Sequence, residues 1–271
     1  MKYQLHLNRR QKLICLLYLI CVLFAGLIIG FSIQYDRKSD SGGNAADATG
    51  INWEGYVSGS LEIQVLTEPT RKNPRGTVTI YSSTDYAANN LVIPDTIELN
   101  GKLYDLVQIG NSAFNHNDLM TGSLTIGNNI HTIGDHAFYS CANLNGDLII
   151  PPTVTSIGRY AFAESEFTGT LIIPKNCTLN NLAFGWAEGF TKVIFPNNCI
   201  FLDNPFYWVK HISQIVADGF NALPTNWSGY SFSFWAVNNG TVQAINSHLT
   251  SGEILTYFKE QQGLPDGWTA I

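Results

Sequence analysis

The feature that most constrains this chain is a text it repeats. The octapeptides HTIGDHAF (131–138) and TSIGRYAF (155–162) stand 24 residues apart. VQIGNSAF (107–114) comes before them, and CTLNNLAF (177–184) and CIFLDNPF (199–206) follow. The closing phenylalanines, Phe114, Phe138, Phe162, Phe184 and Phe206, are spaced by 24, 24, 22 and 22 residues. Each motif is preceded by a short apolar run: LVIP, LTIG, LIIP, LIIP and VIFP, opening at Leu91, Leu124, Leu148, Leu171 and Val193. A sixth run, IVAD, opens at Ile215 and keeps the step.

A single strand-and-turn unit cannot bury its own apolar face. Stacked units can, provided the same residue types recur at the same places. A period of roughly 20–29 residues with one strand per unit predicts a leucine-rich-repeat solenoid. Gly110, Gly134 and Gly158 then mark a corner that needs positive φ or close packing. Pro94, Pro151, Pro174 and Pro196 stop the strands and set the bend.

The run LIIPPTVTSIGRYAF (148–162) resembles the BspA-like family of leucine-rich repeats, and the resemblance covers about 91–217. The segment IPDTIELNGKLYDLVQIGNSAF (93–114) is similar to that family's opening repeat, with an insertion around an N-G-K turn. Asn180 in place of the corner glycine and Pro205 in place of Ala161 make the last two coils less regular. The resemblance implies non-catalytic adhesion at a cell surface, which is an argument from fold alone.

Outside the repeat, alternation in SLEIQVLT (60–67) and GTVTIYSS (76–83) predicts a hairpin. In the tail, SGEILTYFKEQQG predicts a helix with Ser251 as N-cap and Gly263 as its stop. Leu13–Ile33 holds 21 residues without a charge, reaching roughly 30 Å as a helix, enough to cross a bilayer. An uncleaved signal anchor is expected; a cleaved signal peptide is the alternative, but no A-x-A pattern ends the stretch. Lys2, Arg9, Arg10 and Lys12 precede it with no acid among the first 34 residues, which puts the N-terminus in the cytoplasm. With a net charge of −6, the rest of the chain carries −10, a poor partner for nucleic acid.

The expected organisation is therefore a basic tail (1–12), a transmembrane anchor (13–34), a Gly/Ser/Asp-rich linker (35–50) and an N-terminal β cap (51–90). A β-rich solenoid of about six short parallel strands (91–217) and a C-terminal α/β cap (218–271) complete it. The repeat domain stands outside the cell, held by residues 13–33.

For function, no nucleophile elbow, zinc-helix motif, phosphate loop or calcium loop is present, so neither catalysis nor a cofactor or metal is expected. His131 and His136 fall where other coils place Thr155 and Tyr160, which reads as surface. Cys177 and Cys199 share one place in consecutive coils. At about 4.8 Å between coils they lie within disulfide range, or else each fills the core as Val154 does. Cys141 reads as core.

In each L-x-I strand the outer residues point inward and the middle one faces out. Those middle residues are Val92, Thr125, Ile149, Ile172, Ile194 and Val216, five of the six apolar, a stripe that marks a binding face or reflects β-propensity alone. Asp147, Thr170, Lys192 and Gln214 are expected to rim it. The expected partner is an extracellular protein or glycan. Self-association through the same stripe, as a structural envelope component, is the alternative. A site hidden among the aromatics of Trp227–Trp235 is a third reading.

Overall fold

The computed structural model describes residues 56–209, 211–225, 227 and 239–271. The expected anchor and linker lie outside the described residues. Among those described, no helix is long and apolar enough to cross a membrane.

The chain winds as a β-solenoid with two parallel ladders and a turn edge between them. The front ladder runs through β7 (Asn145–Asp147), β9 (Glu166–Ile172), β11 (Gly189–Pro196), β13 (Gln214–Asp218), β14 (Thr241–Ile245) and β15 (Thr269–Ala270). Single bridges, Gly122 to Leu144 and Thr125 to Ile149, continue it to β5 (Met120–Ile126). The back ladder is built of two-residue strands, β6 (Thr132–Ile133), β8 (Ser156–Ile157), β10 (Thr178–Leu179) and β12 (Ile200–Phe201), each paired in parallel with the next.

β1 (Tyr56–Thr67) and β2 (Gly76–Ile93) form the expected antiparallel hairpin. β2 is more than a hairpin arm, however. Its first residues pair in parallel with β4 (Lys102–Ile109), and its end, from Ala88 to Ile93, pairs in parallel with β5. One strand thus serves both ladders, and the boundary expected at residue 90 falls inside it. The N-G-K insertion folds as a tight hairpin, with β3 (Thr96–Leu99) antiparallel to β4. Asn100 and Gly101 take φ of 52° and 75°, the pair of positive values that a two-residue primed turn requires.

The core is the repeat made solid. Phe114, Phe138, Phe162, Phe184 and Phe206 stack in one column at ring separations of 5.0, 5.3, 5.5 and 5.8 Å, all with 0 % exposure. Burying each ring contributes about 1.5–3 kcal/mol. The corner glycines are needed for space rather than for φ. A Cβ on Gly134 would strike the Gly110–Asn111 backbone, and one on Gly158 the Gly134–Asp135 backbone. Where the coil replaces this glycine by Asn180, the side-chain amide donates to the Ile157 carbonyl at 2.9 Å.

The edge between the ladders has its own hydrogen bonds. In the turn segments N–H groups donate forward to the following coil: Phe114 to Ala137, Phe138 to Ala161, Phe162 to Ala183 and Phe184 to Pro205. At the corners they donate backward: Gly134 to Ile109, Gly158 to Ile133 and Asn180 to Ile157.

The tail departs from expectation in two ways. It continues the front ladder, with β14 parallel to β13 and β15 parallel to β14. Its helix α1 (Ser251–Gln262) starts from Thr250, not Ser251. The Thr250 hydroxyl accepts from the Glu253 N–H, and the Glu253 carboxylate accepts from the Thr250 N–H, a full capping box. Ser251 is occupied elsewhere: its hydroxyl accepts from the Ala244 N–H and donates to the Ile271 carbonyl. Gly263 ends the helix at φ 70°, as expected. Ile254 and Phe258 are fully buried, and Phe258 meets Phe195, Phe220 and Trp227.

Candidate functional site

The front ladder presents one face to solvent. In β5, at 148–150 and at 171–173, the outer apolar residues are buried: Leu124 and Ile126, Leu148 and Ile150, Leu171 and Ile173. The middle residues line up as neighbours, Val92 with Thr125, Thr125 with Ile149, Ile172 with Ile194 and Ile194 with Val216. Ile149 is 73 % exposed, Ile172 55 % and Val92 37 %. Ile194 is half-buried.

Val216 departs from the pattern. It is only 2 % exposed, on a strand flanked on both sides by β11 and β14, so the open apolar stripe ends before it. Its neighbour on β14 is the polar Gln243.

The polar rim also has a different register from the expected one. Thr170, Lys192, Gln214 and Thr241 form a single row across four strands. Asp147 pairs instead with Thr168. Gly169, at φ 78°, produces the offset, because two extra residues enter β9 before Ile172 realigns with its row. The Asp147 carboxylate lies where a side chain on Gly169 would sit, so only glycine fits. Gly122 and Gly146 repeat the positive φ in the preceding coils. In the first coil the Asn90 side-chain oxygen accepts from both the N–H and the hydroxyl of Ser123, at 3.0 and 3.1 Å. These bulges start the strands earlier than the leucines that signal them: at Met120, Asn145, Glu166 and Gly189.

The cysteines are core residues. Cys141, Cys177 and Cys199 are free thiols with no exposure, and the disulfide considered for Cys177 and Cys199 is not formed. Both occupy the buried place of Val154, and the Cys199 thiol donates to the Pro196 carbonyl at 2.9 Å. Burial pushes the Cys141 and Cys177 thiols up to about 12 and Cys199 well above its ordinary value. Thiolates are thereby disfavoured, and with them nucleophilic chemistry. Among the described residues no group of three or more His, Cys, Asp or Glu could hold a metal ion. Trp227 is buried, with its indole N–H donating to the Cys199 carbonyl at 2.8 Å; residues 228–238 lie outside the described chain.

A second feature was not anticipated from the sequence. The turn edge carries partly exposed aromatic rings outside the phenylalanine column. His136 stacks on Tyr160 at 4.9 Å and 12°, and Tyr139 crosses both at 84°. His116 meets Tyr139 edge-on at 4.9 Å, and two coils on Trp186 meets Tyr207 at 5.1 Å. The signal was present as aromatics two residues before or one or two after the repeat phenylalanine, but it is spread over three positions and several coils.

Parallel ladders joined by short turns, with one buried phenylalanine per coil, define a leucine-rich-repeat solenoid. Residues 107–233 match the model of the BspA type leucine rich repeat region in six copies. Among solved structures, the chain is similar to a leucine rich cell surface protein from Faecalibacterium prausnitzii. Identity there is 22 %, with 72 % of this chain and 55 % of the other covered, at a TM-score of 0.47. A leucine-rich repeat protein from Bacteroides ovatus shows 14 % identity over 67 % of this chain and 70 % of its own, at 0.31. The pneumococcal vaccine antigen PcpA shows 13 % over 67 % and 62 %, at 0.42. The chain spans about half the length of the F. prausnitzii protein. None of the curated proteins matches it.

Proposed function

We propose that this is a surface-displayed recognition protein that binds a macromolecular partner without catalysis, using the front strand face. One observation carries the proposal: Ile149 and Ile172, in successive coils, turn most of their aliphatic surface to water while their chain neighbours are buried. An isolated exposed isoleucine is ordinary; a row that continues to Val92 on one side and Ile194 on the other is the footprint of a contact surface. The row Thr170, Lys192, Gln214 and Thr241 beside it supplies hydrogen-bonding groups, the polar rim that interfaces have. In this reading residues 13–33 tether the protein with the solenoid outside the cell, and the β1–β2 hairpin and α1 close its two ends.

The test uses the full chain in detergent micelles, probed on an array of extracellular-matrix proteins and purified glycans. Beside it runs the double variant Ile149→Lys, Ile172→Lys. Binding that the variant loses while its circular dichroism is unchanged supports the strand face. Equal binding by both removes it. Silence on the array, with only the wild type sedimenting as an oligomer, replaces recognition by self-association.

A further inference from the structure

We propose that the turn edge is a second binding face, which takes an extended, neutral glycan chain lying along the solenoid. The inference is independent of the strand face, from which it differs in residues and chemistry.

The edge rings form a layer outside the buried core. The phenylalanine column beneath them has 0 % exposure at every member. Trp208, by contrast, is 48 % exposed, and His136, Tyr139, Tyr160 and Trp186 are half-buried.

The rings also occupy backbone positions that disfavour them. His116, His136, Tyr160, Trp186 and Trp208 have φ between 54° and 56°, in the left-handed region. The turn ladder imposes that conformation whatever the residue, since Ser112, Ser140 and Glu164 share it. Asparagine or glycine would fit there most easily, and a bulky side chain costs about 1–2 kcal/mol at each position. Bulky residues held in such a conformation are concentrated at sites of function.

The ring chemistry selects the ligand. The C–H faces of a pyranose are apolar and carry slight positive charge, so they rest on the electron-rich face of an aromatic ring. The sugar hydroxyls need polar partners beside that ring. The Tyr139 hydroxyl, which donates to Glu164 at 2.9 Å, the imidazoles of His116 and His136, and the Trp186 indole provide them. The patch is built of aromatic rings, without the clustered lysines and arginines that a sulfated or phosphorylated polymer would require. Coils about 4.8 Å apart set the rings one after another along the edge, which suits a ribbon-like chain better than a compact branched one.

The full chain in detergent micelles is run through native gels containing hydroxyethylcellulose, xylan or linear mannan, and tryptophan fluorescence is followed with the corresponding hexasaccharides. At least one polymer should retard the wild type. The double variant Tyr139→Ala, Trp186→Ala should lose about 10-fold or more in affinity, the loss of roughly one strong contact. Trp208→Ala, whose side chain lies at the surface, should weaken binding without touching the fold. The Ile149→Lys, Ile172→Lys variant should bind the polymer as the wild type does, which separates the two faces. The proposal falls if no polymer retards the wild type or if the edge variants bind undiminished. It also falls if the strand-face variant loses the glycan as completely as the edge variants do, or if only unglycosylated proteins are retained.

Discussion

The coils from Phe114 to Phe184 and the segment from Phe195 to Phe258 solve one problem in opposite ways. In the first, every coil contributes the same ring at the same height, tilted by no more than 9° to its neighbour. In the second, Phe195, Phe201, Phe220, Trp227 and Phe258 meet at mixed angles, from 16° to 89°. A repeating core needs identical residues, because each unit must be both donor and receiver of the same contact. A terminus has one free side only and is filled by whatever shape completes it, so its residues need not repeat.

The largest expected effect tests the repeating half. Phe162→Ala removes a ring stacked on both sides and should cost about 3–5 kcal/mol, read as a lower urea midpoint. A loss below 1 kcal/mol would mean the column is not the main source of stability. In the irregular half, Trp227→Phe keeps most of the ring but strands the Cys199 carbonyl. It should cost about 1–3 kcal/mol, and an unchanged midpoint would show water replacing the indole.

Gly169→Ala adds a methyl at φ 78° against the Asp147 carboxylate, whereas Gly101→Ala adds one at φ 75° into open space. Both carry the left-handed penalty of about 1–2 kcal/mol. Only the first should cost more than that and disturb the β7–β9 register, visible in amide exchange. Thr250→Ala should cost about 1 kcal/mol near neutral pH. Hydrogen bonding from the Thr250 backbone, then its side chain, holds the Glu253 carboxyl below its ordinary value. The contribution of that carboxylate is present above the ordinary carboxylate range and lost as pH falls through the lowered value. Thermal melts of variant and wild type should therefore draw together in acid. Last, all five cysteines should titrate in denaturant without reductant, and Cys141, Cys177 and Cys199 should resist alkylation at pH 8 in the native state. Only three reactive thiols in denaturant would restore the Cys177–Cys199 bond.

What was legible in the sequence was what repetition enforces. The phenylalanine column, the inward leucines and the corner glycines were placed correctly because each error would be copied in every coil. The bulge at Gly169 was not legible, since one glycine among many gives no sign that its φ is positive. Nor was the burial of Val216, which its own strand pattern does not distinguish from Ile172. β14 and β15 escaped notice because TVQAI carries no leucine–isoleucine pair to align. The aromatic edge was not legible for a related reason: its rings stand two residues before, or one or two after, the repeat phenylalanine and so recur at no single position.

The opposed hydrogen bonds of the turns and corners bear on how such a chain can change length. Forward-pointing N–H groups at the turns and backward-pointing ones at the corners set peptide dipoles against each other within every coil. The two sets offset each other in part, so less polarity accumulates from end to end than in a helix of the same length. A duplicated gene segment of 22 or 24 codons therefore enlarges the protein by one interface at a time, with the two ends left as they were. The number of coils becomes a variable that selection can adjust to the size of what is bound.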